Sequence, residues 1–197
     1  MTVAASKLVR IGLLTPICEI DPRDSADNIS DLVLGQVFDA PYAIAAGELQ
    51  TRPLLFEPLH PEGRLQYSAA VRPAKFSDGT PLTAELAARS LRGAKILRDK
   101  TTIDVRGDRV WFTLTAPNPR FDLTLSQSNT SIVLDRGAQL LGTGPFLFEQ
   151  RPNLRLLQSA KSFRLVRNPH YAGTNGVDEV EFRVFPAAED GSPRALV

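Results

Sequence analysis

Residues 76–85 read Phe-Ser-Asp-Gly-Thr-Pro-Leu-Thr-Ala-Glu, and residues 142–146 read Gly-Thr-Gly-Pro-Phe. The first stretch is a tight turn followed by a helix start. Asp78-Gly79 supplies the turn, because Gly takes positive φ without steric cost. Pro81 stiffens the approach, Thr83 is a suitable N-cap, and Glu85 places a negative charge in the first helical turn. The run that follows, 82–97, predicts a helix over residues 84–97 with Leu86, Leu91, Ala94 and Leu97 turned inward. The second stretch is a Gly-Pro break that swings the chain from a loop into a strand. Gly142-x-Gly144 lacks the Lys-Ser/Thr and the helix of a phosphate loop, so it is read as a tight backbone bend.

Working outward, residues 7–14 read as a strand. Ser25 is expected to cap a helix over residues 26–38, where Ile29, Leu32, Val33 and Val37 form one apolar face. Residues 41–61 are punctuated by proline and read as irregular. Residues 64–71 alternate as a strand with Leu65, Tyr67, Ala69 and Val71 on one face. Residues 101–105 and 110–114 alternate around 106–109 and predict a hairpin. A short helix or turn follows over 120–125. Residues 146–150 and 162–166 read as a hairpin about 151–157, residues 177–185 as the last strand, and 187–197 as a tail or helix start. Strands outnumber helices and are interspersed with them, which gives a mixed α/β (α+β) fold.

Composition narrows the classes. A chain of 197 residues, 43% hydrophobic, is expected to form one domain around one core. A net charge of +1 leaves no strongly basic face for nucleic acid. No apolar run approaches a membrane span. A single cysteine excludes an internal disulfide framework. The N-terminus reads directly as a strand, without a basic stretch leading into an apolar region and a cleavage site. As written, the chain is expected in the cytoplasm; if it is excised from a longer exported chain, a periplasmic or extracellular location is expected.

In this order and spacing the two motifs resemble the solute-binding proteins of peptide, dipeptide and nickel ABC importers, family 5. Ile20-Asp21-Pro22 is similar to that family's Leu-Asp-Pro after its first strand. Asp108 to Phe121 resembles its strand, proline turn and Phe; Leu165 to Gly173 its Arg-Asn-Pro-x-Tyr segment; Val177 to Pro186 the strand that follows. The resemblance implies a single lobe of a periplasmic-binding-protein-like (type II) fold over residues 1–197. Family members run to more than twice this length. The resemblance therefore implies that the chain stops near Arg194-Ala195-Leu196-Val197, where the family crosses into a second lobe, and lacks the segment that returns from it. The implied partners are a small-molecule or peptide ligand, an ABC permease if the chain is part of a full-length binding protein, and a second copy or partner chain covering the missing C-terminal segment.

The residues were weighed for chemistry on the same footing. His60 and His170 show no metal-ligand spacing, so neither a nickel site nor any other metal or cofactor is expected. No Ser-His-Asp set or carboxylate pair is evident, so no catalytic residue is expected. Cys18 is expected to be a small buried hydrophobe rather than a nucleophile. Thr15, Pro16, Ile17 and Cys18, which follow the first strand, match a stretch that lines the cleft in the resembling family. Gln127, Ser128, Asn129 and Thr130 lie in the polar run 126–131, read either as a surface loop or as a solute-facing wall. The two segments are expected on one concave face. The leading functional reading is solute binding as the first lobe of an importer's binding protein. Two others stand beside it: a one-lobe cytoplasmic protein reused for small-molecule binding or catalysis, and an interaction module.

Overall fold

The structure is a computed structural model and describes residues 7–44, 47, 50–137, 139–173 and 176–185. In chain order the elements are β1 (Leu8–Leu13), α1 (Asn28–Leu34), β2 (Tyr42–Ile44), β3 (Thr51–Pro53), β4 (His60–Pro61), β5 (Gln66–Ala70), α2 (Ala84–Gly93), β6 (Thr101–Arg106) and β7 (Arg109–Leu114). Then come α3 (Phe121–Thr124), β8 (Leu134–Asp135), β9 (Leu140–Leu141), β10 (Phe146–Phe148), α4 (Leu154–Ser159), β11 (Ser162–Arg167) and β12 (Glu179–Val184). Short 3₁₀ turns cover Pro22–Asp24 and Ser128–Thr130. The mixed α/β expectation matches this architecture.

One four-stranded sheet, in the order β1-β12-β11-β10, joins the two ends of the chain. β1 runs parallel to β12, with Leu8 opposite Glu179 and Leu13 opposite Val184; the other two pairings are antiparallel. Leu13, Phe146, Leu165, Val180 and Phe182 pack there against Val33, Leu34, Val37 and Phe38. Phe163 stacks on Phe182 with ring centroids 5.3 Å apart. The second sheet, β4-β5-β7-β6, is antiparallel throughout. Its apolar face carries Ala69, Ile103, Val110 and Phe112 beneath Ala87, Ala88 and Leu91 of α2. The buried apolar residues thus fall into two clusters, one on each sheet, where composition predicted one core.

The predicted hairpin is present in the expected register, with Thr101 opposite Leu114 and Gly107 at φ 63° in its turn. Thr83 caps α2, its hydroxyl accepting from the Leu86 N–H at 3.3 Å. Other boundaries shift for local reasons. The expected helix over 26–38 is only Asn28–Leu34, and its cap is Asp27, which accepts from the Ser30 N–H at 2.8 Å. Ser25 instead ends the 3₁₀ turn that Asp21 caps. α2 stops at Gly93, because Ala94 turns extended at ψ 120°, although Leu97 stays buried. Leu86 is only half-buried. The stretch read as irregular contains the antiparallel pair β2–β3, with Tyr42 opposite Pro53. The connection read as a hairpin loop contains α4, capped by Asn153, whose side chain accepts from the Leu156 N–H at 3.2 Å. The expected tail 187–197 lies outside the described residues.

Past α1 the Gln36 and Val37 N–H groups donate three residues back, to Val33 at 3.1 Å and Leu34 at 2.9 Å, and the Gly142–Gly144 bend packs against this turn. The Gly144 N–H donates to the Val37 carbonyl at 2.9 Å, and the Phe146 N–H to the Gln36 carbonyl at 3.0 Å. These carbonyls, past the end of α1, serve the strand that enters β10. A Cβ on Gly142 would overlap the Val37 carbonyl oxygen, and one on Gly144 would lie 2.7 Å from it. Only glycine permits this approach. The other motifs meet at the same place. The Ser77 N–H donates to the Gly142 carbonyl at 3.0 Å, and Asn168 Nδ2 donates to the Gly144 carbonyl at 2.8 Å. Gly79, at φ 85°, lies beneath the His170 ring.

Gly142→Ala is expected to cost at least about 3 kcal/mol or to prevent folding, since the obstructing atom is backbone. Gly63→Ala, where no atom lies within 4 Å of the added methyl, is the control and is expected to leave stability unchanged or slightly raised. Equal urea midpoints for the two variants would refute the account. Thr83→Ala is expected to cost about 1 kcal/mol, the usual value of an N-cap oxygen, measured by the same unfolding curves.

Candidate functional site

β1 and β12 end together at the carboxyl edge of the parallel pair, and the chain leaves the sheet there. In open sheets with parallel strands this edge is where ligands collect, because the departing loops diverge and leave a crevice. Leu14 is 61% exposed, Thr15 is exposed and Pro16 half-buried. Ile17 is fully buried in the cluster of the first sheet, which anchors the segment from inside. The Cys18 N–H donates to Ser30 Oγ at 2.8 Å and the Glu19 N–H to the same oxygen at 3.2 Å, which anchors it to α1. On the other side the Leu13 carbonyl accepts from the Phe185 N–H at 2.8 Å, and between Leu13 and Cys18 the backbone N–H and C=O of the exposed Thr15 form no hydrogen bond to another described residue. Cys18 is exposed, contrary to the expectation of a buried hydrophobe.

The second predicted segment follows α3. Gln127 is exposed and Ser128 and Asn129 are half-buried. Thr130 is fully buried, and its hydroxyl donates to the Gln127 carbonyl at 2.8 Å, which closes the 3₁₀ turn. Ser131 is also buried; its carbonyl accepts from Ser90 Oγ at 3.3 Å, and Ser90 Oγ in turn accepts from the Val133 N–H at 2.8 Å. Asn129 Oδ1 is buried and has no hydrogen-bond partner among the described residues. The turn Ser128–Thr130 packs against the turn Pro22–Asp24, a few residues beyond Cys18. The fold thus brings the run 126–131 beside the continuation of the first segment. The side chains of Ile17 and Thr130 belong to the interior. Those facing solvent are Thr15, Cys18 and Gln127, with Pro16, Ser128 and Asn129 partly so.

A second concavity, of about 320 Å³, contains a group the sequence reading passed over. Asp39 follows the end of α1, between Phe38 and Ala40, and is half-buried. Its carboxylate accepts from Thr143 Oγ1, of the Gly-Thr-Gly bend, at 3.1 Å. Burial pushes its pKa up to about 6, and the Thr143 hydrogen bond acts in the opposite direction. Tyr171 lines the same cleft; burial raises its pKa, the Asp39 charge adds to the rise, and Arg52 opposes it. A carboxylate inside an otherwise apolar run was the available signal, and the expected long helix concealed it. Among the described residues, no group of three or more His, Cys, Asp or Glu side chains is arranged to hold a metal ion. Nor is any helix among them long and apolar enough to cross a membrane.

The comparisons with known proteins agree with this architecture. The family model described as bacterial extracellular solute-binding proteins, family 5 Middle, matches residues 51–195. No curated protein matches. Among solved structures, a nickel ABC transporter from Bacillus halodurans is similar, with 20% identity and a TM-score of 0.76 over 94% of this chain and 40% of that one. Listeria monocytogenes OppA bound to peptide is 16% identical, with a TM-score of 0.78 over 92% of this chain and 43% of that one. The periplasmic binding protein DppA from Helicobacter pylori, in complex with the peptide STSA, is 18% identical, with a TM-score of 0.76 over 94% of this chain and 44% of that one. The chain therefore spans about two fifths of the length of these structures.

Asp39 predicts a pH dependence. The folded protein holds this proton more tightly than the unfolded chain, whose pKa is near 3.8. Its contribution to stability is therefore fully present below about pH 4 and is lost as pH rises to about 6. Asp39→Asn removes that loss. The variant is expected to gain on wild type across this window, by at most about 3 kcal/mol, with a constant difference at higher pH. Thermal melts of both proteins from pH 4 to 8 measure it, and a pH-independent difference would show that Asp39 titrates normally.

Proposed function

We propose, from the premise that the chain belongs to the bacterial extracellular solute-binding proteins of family 5, that it binds a short peptide or a similar small polar solute. The binding wall is the segment Thr15–Cys18, with Gln127, Ser128 and Asn129 beside it. The observation that carries this reading is the exposed Thr15, whose backbone N–H and C=O have no partner among the described residues, in a segment held by Leu13 on one side and by Ile17 and Cys18 on the other. Free backbone groups of this kind pair with the main chain of a peptide, and main-chain pairing tolerates many side chains. Leu14 and the half-buried Pro16 supply apolar surface next to it, and the polar run supplies side-chain donors and acceptors. The peptide-bound states of the OppA and DppA structures support a peptide as the solute. The permease of an ABC importer is the partner this reading implies, in a periplasmic or extracellular setting. The remaining walls of the site, in this reading, come from parts of the family's chain beyond the length matched here.

The test is a titration of the ¹⁵N-labelled chain with the capped tripeptide acetyl-Ala-Ala-Ala-amide, followed by amide chemical shifts. Saturable shifts are expected at Thr15, Ile17 and Cys18, with smaller ones at Gln127 to Asn129. Weak binding is expected, since only part of a cleft is present and each net backbone hydrogen bond contributes about 1 kcal/mol. Saturable shifts confined to other residues, or none up to 10 mM peptide (about −2.7 kcal/mol), would overturn the assignment.

A further inference from the structure

The cleft around Asp39 is built from residues distinct from those of the peptide wall, and its chemistry is different. At about 320 Å³ it falls at the small end of ligand pockets. Its acidic group is Asp39, whose carboxylate has room for about four hydrogen bonds; among the described residues Thr143 Oγ1 supplies one. Its cationic side chains are Lys75 and Arg72. Lys75 lines the cleft, is exposed, and has no ion-pair or hydrogen-bond partner among the described residues. Arg72 lines it too, held in place by Glu57 at 3.4 Å and by the Pro53 carbonyl at 3.3 Å. Leu54, Leu55, Pro73 and Ala74 add apolar surface, and His170, Ala172 and Gly173 also line the cleft.

A site with a carboxylate, a cationic pair and an apolar wall matches a molecule with those three features in complement. We propose that this cleft binds a free amino acid with an apolar side chain. Its ammonium group donates to Asp39, and its carboxylate is held by Lys75 and Arg72. Its side chain lies against Leu54, Leu55 and the Pro73-Ala74 segment. A metal ion needs more oxygen ligands than one carboxylate, and a simple anion is repelled by Asp39. A neutral apolar molecule makes no use of the carboxylate or of the cations. Tyr171, half-buried beside Asp39, closes one side of the cleft. The inference does not depend on the peptide-binding reading, and each can fail without the other.

The test is an amide-shift titration of the ¹⁵N-labelled chain with L-leucine up to 50 mM. Two analogues each remove one charge: 3-methylbutylamine lacks the carboxylate and 4-methylpentanoate lacks the amine. Leucine is expected to give saturable shifts at Lys75, Thr143 and Tyr171 with a Kd of about 1 mM or lower, and each analogue to bind at least tenfold more weakly. Asp39→Asn, which keeps the shape and an acceptor for Thr143, and Lys75→Ala, at an exposed position, are each expected to weaken leucine at least tenfold. Thermal melts of both variants confirm that they are folded. No saturable shift with leucine overturns the proposal, as does equal binding of either analogue or unchanged affinity in both folded variants. Leucine shifts confined to Thr15–Cys18 also overturn it, and place the amino acid on the peptide wall instead.

Discussion

The carbonyl of Val37 is the point about which this fold is organised. It accepts the Gly144 N–H, and the space around it admits no side chain on Gly142 or Gly144. This contact sets the angle at which the chain enters β10 and where the Phe-Ser-Asp-Gly turn rests, since Ser77 bonds to the carbonyl of Gly142. Asn168 then ties the far side of the first sheet to Gly144 and Pro145. Segments far apart in the sequence meet through backbone groups. A backbone joint of this kind is exacting in geometry and nearly indifferent to side chains other than glycine.

Charge is treated differently at Glu181, in β12, and at Asp39, beyond α1. Burial alone would raise the pKa of Glu181, but hydrogen bonds from Arg183 and Arg10, at 3.0 and 2.9 Å, outweigh it and hold the carboxyl below its ordinary range. Asp39 has only a neutral hydroxyl, so desolvation prevails and its pKa rises. A carboxylate satisfied by two guanidinium groups is a fastener. One that is half-buried and lightly bonded keeps its capacity to interact.

Much of the fold was legible in the sequence. The turn, the Thr83 cap, the 101–114 hairpin and the last strand all announce themselves through local chemistry, and the structure keeps them. The misreadings share a cause. The helix over 26–38 has a continuous apolar face, but beyond Leu34 the Gln36 and Val37 amides bond three residues back, and this turn packs against a segment more than a hundred residues away. Periodicity within a window does not register that change of bonding. The two apolar clusters were likewise hidden, because composition gives the quantity of apolar surface and not its partition between sheets. For the candidate site, the sequence named two segments, and what it did not give is the direction of each side chain. Ile17 and Thr130 face inward because each anchors its own turn. Asp39 was missed because it reads as an ordinary helix-end residue until Thr143 is brought beside it.

The pairing of β1 with β12 has a consequence for how the molecule is made. Arg10 and Glu181, which face each other across that pair, are 171 residues apart. On a ribosome, β1 emerges first and waits for nearly the whole described chain before its neighbour exists. The sheet β4-β5-β7-β6 joins a tight hairpin to a strand one helix earlier in the chain, so all its strands exist while the rest is still being synthesised. The middle sheet therefore has every strand it needs before β1 has its neighbour. Throughout that interval an apolar strand with an unpaired edge is open to any other extended chain.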